Sequence, residues 1–144
     1  MFELDQRLRA DCVEVGAFAL SRLLLMNDAH YPWFILVPQR ADVSEVFDLT
    51  AAEQQQMWEE VNLFAVTLKN VFLADKINIA TLGNVVGQLH IHVIARFRDD
   101  IAWPAPVWGR HPAEAYNDEQ LGAVLNKIRH SLGADFVWTA GESL

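Results

Sequence analysis

The chain has 144 residues, of which 52% are hydrophobic and 21% are charged. This composition excludes an intrinsically disordered protein, and the length predicts one domain over residues 1–144 with a sizeable core. Acidic residues outnumber Lys and Arg by 19 to 11, and the resulting net charge of -8 argues against a nucleic-acid partner.

The cysteine content and the N-terminus indicate the compartment. Cys12 is the single cysteine, so an internal disulfide is excluded and a reducing environment is favoured. The first ten residues carry charged side chains and lack the apolar stretch of a signal peptide, and no apolar run is long enough to span a bilayer. We therefore expect a cytoplasmic protein that is not bound to a membrane.

The first third of the chain predicts a helix and a hairpin. Leu4, Leu8 and Cys12 recur every four residues, which indicates a short amphipathic helix with Asp5 in its first turn. Two apolar segments, 20–26 and 33–37, flank a polar turn at 27–30. Because the second segment is uniformly apolar and ends at a proline, we interpret the pair as strands covered on both faces.

A long helix and a second pair of strands follow. Thr50 and Glu53 form the pattern of a capping box, and one apolar stripe continues to Phe72. Residues 76–82 and 88–97 alternate with period two around a turn at 83–84, which predicts two further strands.

The last part of the chain predicts a loop and a helix. Residues 101–112 contain three prolines and two tryptophans, a composition that excludes regular structure. A helix is expected over 118–131 with Asn117 as its N-cap, followed by a short tail. Since strands and helices come in blocks, the predicted fold class is α+β, with an antiparallel sheet covered by helices.

The most informative segment is the strand that contains Gln88, His90 and His92. On a strand these three side chains point to one face at a spacing of about 6.6 Å. A neutral imidazole is a good nucleophile toward phosphorus when one ring nitrogen is fixed by a hydrogen bond. A second imidazole and the amides of the turn at Gly83–Asn84 could then stabilise negative charge on a phosphate.

In these residues the chain resembles the histidine triad (HIT) family, whose motif alternates histidines with apolar residues after a Gly-Gln-Ser/Thr-Val turn. The resemblance extends over about residues 15–97, leaving a loop and the C-terminal helix in 98–144. It implies a HIT-like α+β fold with a long central helix and with N- and C-terminal helices. It also implies a homodimer that pairs through the long helix and a sheet edge.

The resemblance implies a nucleotidyl hydrolase or transferase that acts on a nucleoside phosphoramidate or a dinucleoside polyphosphate. His90 takes the position of the nucleophile, with His92 and Gln88 as the other catalytic positions. Asn27 matches a ribose contact, and Asn84 and Val85 match the phosphate-binding turn. No cofactor is required for this chemistry, although a divalent metal ion is compatible with the bound nucleotide.

Three positions depart from the family pattern. Gln88 replaces the first histidine, Asn84 replaces a glutamine, and Val85 replaces a serine or threonine. Gln88 can donate and accept hydrogen bonds but cannot titrate, and Val85 has no hydroxyl. A nucleotide-binding or interaction module with weakened catalysis is therefore an alternative.

Two further alternatives concern individual residues. His90 and His92 could share a metal ion, although no additional ligand at a recognisable spacing completes such a site. Arg96 falls on the same strand face as His92 and could either neutralise a substrate phosphate or form a cross-strand pair with an acidic side chain.

Overall fold

Six strands form one antiparallel sheet in the computed structural model, which describes residues 1–139. The helices and strands follow one another as α1 (Gln6–Asp11), β1 (Cys12–Ala17), β2 (Ser21–Met26), β3 (Trp33–Pro38), α2 (Ala51–Phe72), β4 (Lys76–Ala80), β5 (Ile91–Arg96), α3 (Asp118–Arg129) and β6 (Val137–Trp138). The strand order is β4-β5-β3-β2-β1-β6, and every neighbouring pair is antiparallel. The predicted α+β class and the predicted hairpin, now β2 and β3, are confirmed.

The sheet is covered on both faces, and alternate residues of β3 and β5 face opposite ways. Phe34, Leu36, Ile91 and Val93 belong to a core cluster that includes residues of α2 and α3. Ile35 and Ile94 belong to a second cluster on the other face, with the N-terminal residues Leu4 and Leu8 and the loop residue Val107. All residues of β3 and β5 are buried, as expected for strands covered on both faces.

The helix ends follow their sequence signals. Thr50 and Glu53 form the predicted capping box of α2, and Asn117 caps α3 as predicted. Asp5 lies one position before α1 rather than inside its first turn, and its side chain accepts a hydrogen bond from the Arg7 amide at 2.8 Å.

No helix in residues 1–139 combines the length and apolarity needed to cross a membrane.

Several boundaries differ from the predictions, and two strands were not predicted. Cys12 begins β1 instead of continuing the helix, and β1 itself was not predicted. The predicted strand over 76–82 ends at Ala80, and the predicted strand over 88–97 begins only at Ile91. The tail that follows α3 returns to the sheet as β6 and pairs with β1. Pairing between strands decides these points, and local pattern does not report it.

Gly16 permits the pairing of β1 with β6. A Cβ atom at this position would collide with the Val137 carbonyl oxygen and would lie 2.7 Å from the Phe136 ring. The absent side chain therefore allows the tail to approach the β1 backbone and Phe136 to enter the core.

Candidate active site

The two histidines lie on the sheet face opposite α2, at the start of β5. His92 pairs with Ile35 of β3, and Trp33 pairs with Ile94. This register makes Trp33 the diagonal neighbour of His92 on the same face. His90 precedes the first residue of β5, and its ring centroid lies 4.9 Å from that of His92. The predicted juxtaposition of the two imidazoles is therefore observed.

The His90 ring is held by the main-chain carbonyl of Gln88, two residues earlier. Its Nδ1 lies 2.7 Å from the carbonyl oxygen of Gln88, and the residue is buried. A carbonyl oxygen only accepts hydrogen bonds, so Nδ1 must carry a proton. In the neutral ring the lone pair then lies on Nε2, where it can act as a nucleophile.

The His92 ring is held by a donor instead. Trp33 Nε1 donates to His92 Nδ1 at 2.9 Å, and because an indole nitrogen only donates, this Nδ1 must carry the lone pair. Burial, with a smaller contribution from neighbouring His90, lowers the pKa of His92 to about 3. His92 is therefore a neutral ring at physiological pH that presents an N–H at Nε2.

Both rings border a cavity of about 320 Å³ with a mainly apolar lining. The N-terminal helix α1, the strands and the turn after β4 each contribute to the wall. The lining residues are Arg7, Leu8, Asp11, Met26, Ile35, Leu82, Gly83, Asn84, Val85, Val86, His90, His92 and Trp108. A cavity of this size with few convergent polar groups is typical of a small-molecule site.

The turn after β4 brings two predicted residues to this cavity. Gly83 has a φ of 99°, a left-handed conformation that favours glycine, and it is followed by Asn84 and Val85 in the wall. Val85 is 74% exposed and offers the cavity only methyl groups. The position that carries a hydroxyl in the family pattern is therefore apolar here.

Two predicted site residues lie outside the cavity lining. The Oδ1 atom of Asn27 accepts a hydrogen bond from the Tyr116 amide at 2.9 Å, and its role as a ribose contact stays a prediction. The Gln88 carboxamide binds the main chain of the N-terminal segment at Glu3 and Asp5. Of the six predicted positions, the cavity thus collects His90, His92, Asn84 and Val85.

Four polar or aromatic residues at the site were not predicted from the sequence. Trp33 and Trp108 both contact His92, with ring centroids 5.8 and 5.0 Å away. Arg7 and Asp11 come from α1, which the sequence predicted only as a short amphipathic helix. The abundance of tryptophan was the only available signal, because the contacts depend on strand register and on where α1 packs.

Arg96 organises the loop that carries Trp108. Its guanidinium is 2% exposed and forms a bidentate ion pair with Asp100 at 2.8 and 3.0 Å. It also donates to Asn78 and to the Ala105 carbonyl, both at 2.8 Å. Arg96 thus pairs with an acidic side chain, but with one four residues further along the chain and not across a strand pair as predicted.

The alternative of a shared metal ion gains no additional ligands. Among residues 1–139, no group of three or more His, Cys, Asp or Glu side chains is placed to hold a metal. The Nδ1 atoms of His90 and His92 are already engaged by the Gln88 carbonyl and the Trp33 indole.

Comparison with known proteins identifies relatives of this chain. A family model described as "HIT domain" matches residues 7–99. A histidine triad protein from Sinorhizobium meliloti 1021 is 48% identical, with 92% of this chain and 98% of that chain covered and a TM-score of 0.89. A histidine triad protein from Marinobacter aquaeolei VT8 is 42% identical, with 92% and 96% covered and a TM-score of 0.89.

A third histidine triad protein, from Bradyrhizobium japonicum, is 39% identical, with 92% of this chain and 98% of that chain covered and a TM-score of 0.90. No protein of curated function matches the chain.

Proposed function

Because the chain belongs to the histidine triad family, we propose that it transfers a nucleotidyl group to water through a covalent intermediate on His90. The substrate is a nucleoside phosphoramidate or a dinucleoside polyphosphate. The observation that carries the proposal is the hydrogen bond from His90 Nδ1 to the Gln88 carbonyl, which leaves the Nε2 lone pair for attack.

The reaction has two balanced steps. In the first, the Nε2 lone pair of His90 forms a bond to the α-phosphorus, and the bond to the leaving group breaks with its electron pair. The leaving group takes a proton from water, and the imidazolium that results is stabilised by the Gln88 carbonyl at Nδ1. In the second, water attacks phosphorus and gives up a proton to the solvent, which replaces the proton taken by the leaving group. The bond from phosphorus to Nε2 breaks, its electron pair returns to Nε2, and the nucleoside monophosphate and neutral His90 are released. Neither step needs a resident cofactor.

His92 supports this reaction as a neutral donor. Its Nε2–H is free to bond to a phosphate oxygen because Trp33 occupies Nδ1. Its pKa of about 3 keeps it from adding a second positive charge beside the His90 imidazolium. The apolar walls of the cavity suit a nucleobase, and Asn84 lies in the turn that we assign to the phosphate.

The direct test of the mechanism is His90→Ala. We expect a loss of kcat of about 10³-fold or more, because the nucleophile is removed. Wild-type protein quenched during turnover should carry a nucleoside monophosphate on the peptide that contains His90, detected by mass spectrometry. Equal turnover by His90→Ala across a panel of phosphoramidates and dinucleoside polyphosphates would overturn the mechanism.

A nucleotide-binding or interaction module with weakened catalysis remains the second candidate. Val85 favours it, since an exposed valine at the cavity replaces a hydroxyl. Calorimetry with nucleoside monophosphates separates the two functions when combined with the turnover assay. Tight binding without any turnover by the wild-type protein supports the module, and measurable turnover rejects it.

We also propose a cytoplasmic homodimer without a nucleic-acid partner. The exposed apolar side chains of α2, Leu63 and Val66, and Ile79 on the edge strand β4 support self-association. The net charge of -8 disfavours a polyanionic partner, and the lone Cys12 favours a reducing compartment.

A further inference from the structure

The Gln88 side chain uses both of its polar atoms on the N-terminal segment. Its Oε1 accepts from the Asp5 amide at 2.9 Å, and its Nε2 donates to the Glu3 carbonyl at 2.8 Å. Gln88 and Asp5 border a separate hollow of about 510 Å³, together with residues 42–44 and Gly87. The carboxamide is thus committed to the N-terminal segment and does not line the cavity of His90.

The chemistry of a carboxamide suits this contact. The Glu3 carbonyl and the Asp5 amide flank Leu4. In a parallel sheet, two groups that flank one residue in this way are bonded by the amide and the carbonyl of a single residue on the neighbouring strand. A glutamine side chain offers the same donor and acceptor as a peptide group. Gln88 therefore replaces a strand partner for a segment that no strand pairs with in residues 1–139.

The segment that Gln88 holds forms part of the cavity wall. Asp5 caps α1 through the Arg7 amide, and α1 contributes Arg7, Leu8 and Asp11 to the lining. Leu4 and Leu8 are buried against the second core cluster. Since chain termini fray unless they are tied down, the position of this wall depends on its tether.

Gln88 also contacts the nucleophile, but through a different group. The Gln88 carbonyl oxygen accepts from His90 Nδ1 at 2.7 Å, while the side chain holds Glu3 and Asp5. A substitution at position 88 removes only the side-chain contacts and keeps the carbonyl. The two roles can therefore be separated by mutation.

We propose that Gln88 is a positioning residue that fixes the N-terminal segment as the wall of the nucleotide cavity. This inference rests on the proposed function for the identity of the ligand. It assigns to the carboxamide a role in the affinity for the nucleotide, with no contact to the reacting phosphate. The chemical step at His90 is then independent of the side chain at position 88.

The test compares Gln88→Met and Gln88→Glu with the control Glu3→Ala. The methionine variant removes both hydrogen bonds at similar side-chain size, and the glutamate variant keeps the acceptor but loses the donor. Glu3→Ala changes an exposed side chain whose carbonyl makes the contact. Hydrogen exchange of residues 2–8, Kd for AMP and GMP, and kcat and KM are measured for each protein.

For Gln88→Met we expect faster exchange at the Asp5 amide and a Kd and KM raised by about 5- to 30-fold, as the loss of two hydrogen bonds predicts. The kcat should stay within about threefold of the wild type, because the bond from His90 to the carbonyl remains. Gln88→Glu should raise Kd and KM at least as much as Gln88→Met, because a carboxylate oxygen would face the Glu3 carbonyl oxygen. Glu3→Ala should match the wild type.

Different results overturn the two proposals. Unchanged exchange at Asp5 in Gln88→Met, or a fall in kcat with unchanged KM, overturns the positioning role. Wild-type protein that binds neither nucleotide and turns over no substrate overturns the proposed function instead, and the exchange measurement still decides whether the tether exists.

Discussion

At the scale of single residues, the two imidazoles differ because their partners differ. A carbonyl oxygen faces His90 Nδ1, and an indole N–H faces His92 Nδ1. The first partner requires a proton on the ring nitrogen and the second requires a lone pair. One side-chain type therefore presents a lone pair and an N–H donor to the same cavity, with ring centroids 4.9 Å apart.

Trp33→Phe tests whether the indole N–H of Trp33 keeps Nδ1 of His92 unprotonated. The change keeps an aromatic ring but removes the donor, so a proton can bind Nδ1. We expect the pKa of His92 to rise by about one unit from its value near 3, since one hydrogen bond to the neutral form is lost. The kcat should fall by roughly tenfold because the ring loses its orientation. Nitrogen-15 NMR of the ring as a function of pH reports the protonation state.

The matched control is Trp108→Phe. Trp108 packs edge to face on His92, and phenylalanine keeps an aromatic neighbour there. The pKa of His92 should therefore stay low in this variant. If Trp33→Phe leaves the titration of His92 unchanged, burial alone keeps the ring neutral and the indole has no such role.

At the scale of elements, the return of the tail to the sheet depends on close backbone approach at Gly16. Gly16→Ala places a methyl group against the Val137 carbonyl and the Phe136 ring. We expect a loss of unfolding free energy of about 1–3 kcal/mol, because β6 must move away and Phe136 must leave its place in the core. Urea unfolding followed by fluorescence measures the loss.

Gly122→Ala is the control for that substitution. Gly122 lies inside α3, and a Cβ there meets no atom within 4 Å. Alanine should stabilise the helix by about 0.5–1 kcal/mol. Equal effects of the two glycine substitutions would contradict the role assigned to Gly16.

At the scale of the whole molecule, β4 and β6 are the two edges of the sheet. For a homodimer that uses the β4 edge, Ile79→Lys places a charge in the interface and should convert the protein to a monomer. Light scattering should then give 16.3 kDa instead of about twice that mass. Val137→Lys, on the opposite edge strand, should leave the dimer intact. A wild-type monomer, or a dimer that survives Ile79→Lys, contradicts this interface.

The overall charge and the proposed ligand act on different length scales. A net charge of -8 repels a polyanion over the whole surface. In the proposed function, His92 and the turn at Gly83 and Asn84 bind one small phosphate through neutral donors, which requires no excess of basic side chains. The proposed nucleotide site therefore does not conflict with the negative net charge of the protein.

The sequence determined most of the elements because their signals are local. The capping box at Thr50 and Glu53, the cap at Asn117 and the paired apolar runs of β2 and β3 all depend on neighbours in the chain. The period of two also placed His90 and His92 together. The fold class, the family resemblance and the centre of the candidate site followed from these patterns.

Only the tertiary structure decided which partners the site residues contact. Trp33 lies 59 residues from His92 along the chain, and Gln88 lies 85 and 83 residues from its partners Glu3 and Asp5. Such contacts depend on strand register and on the packing of the N-terminal segment, which local periodicity does not specify. The protonation of His92, the exclusion of Gln88 from the cavity and the pairing of β6 therefore depend on tertiary packing.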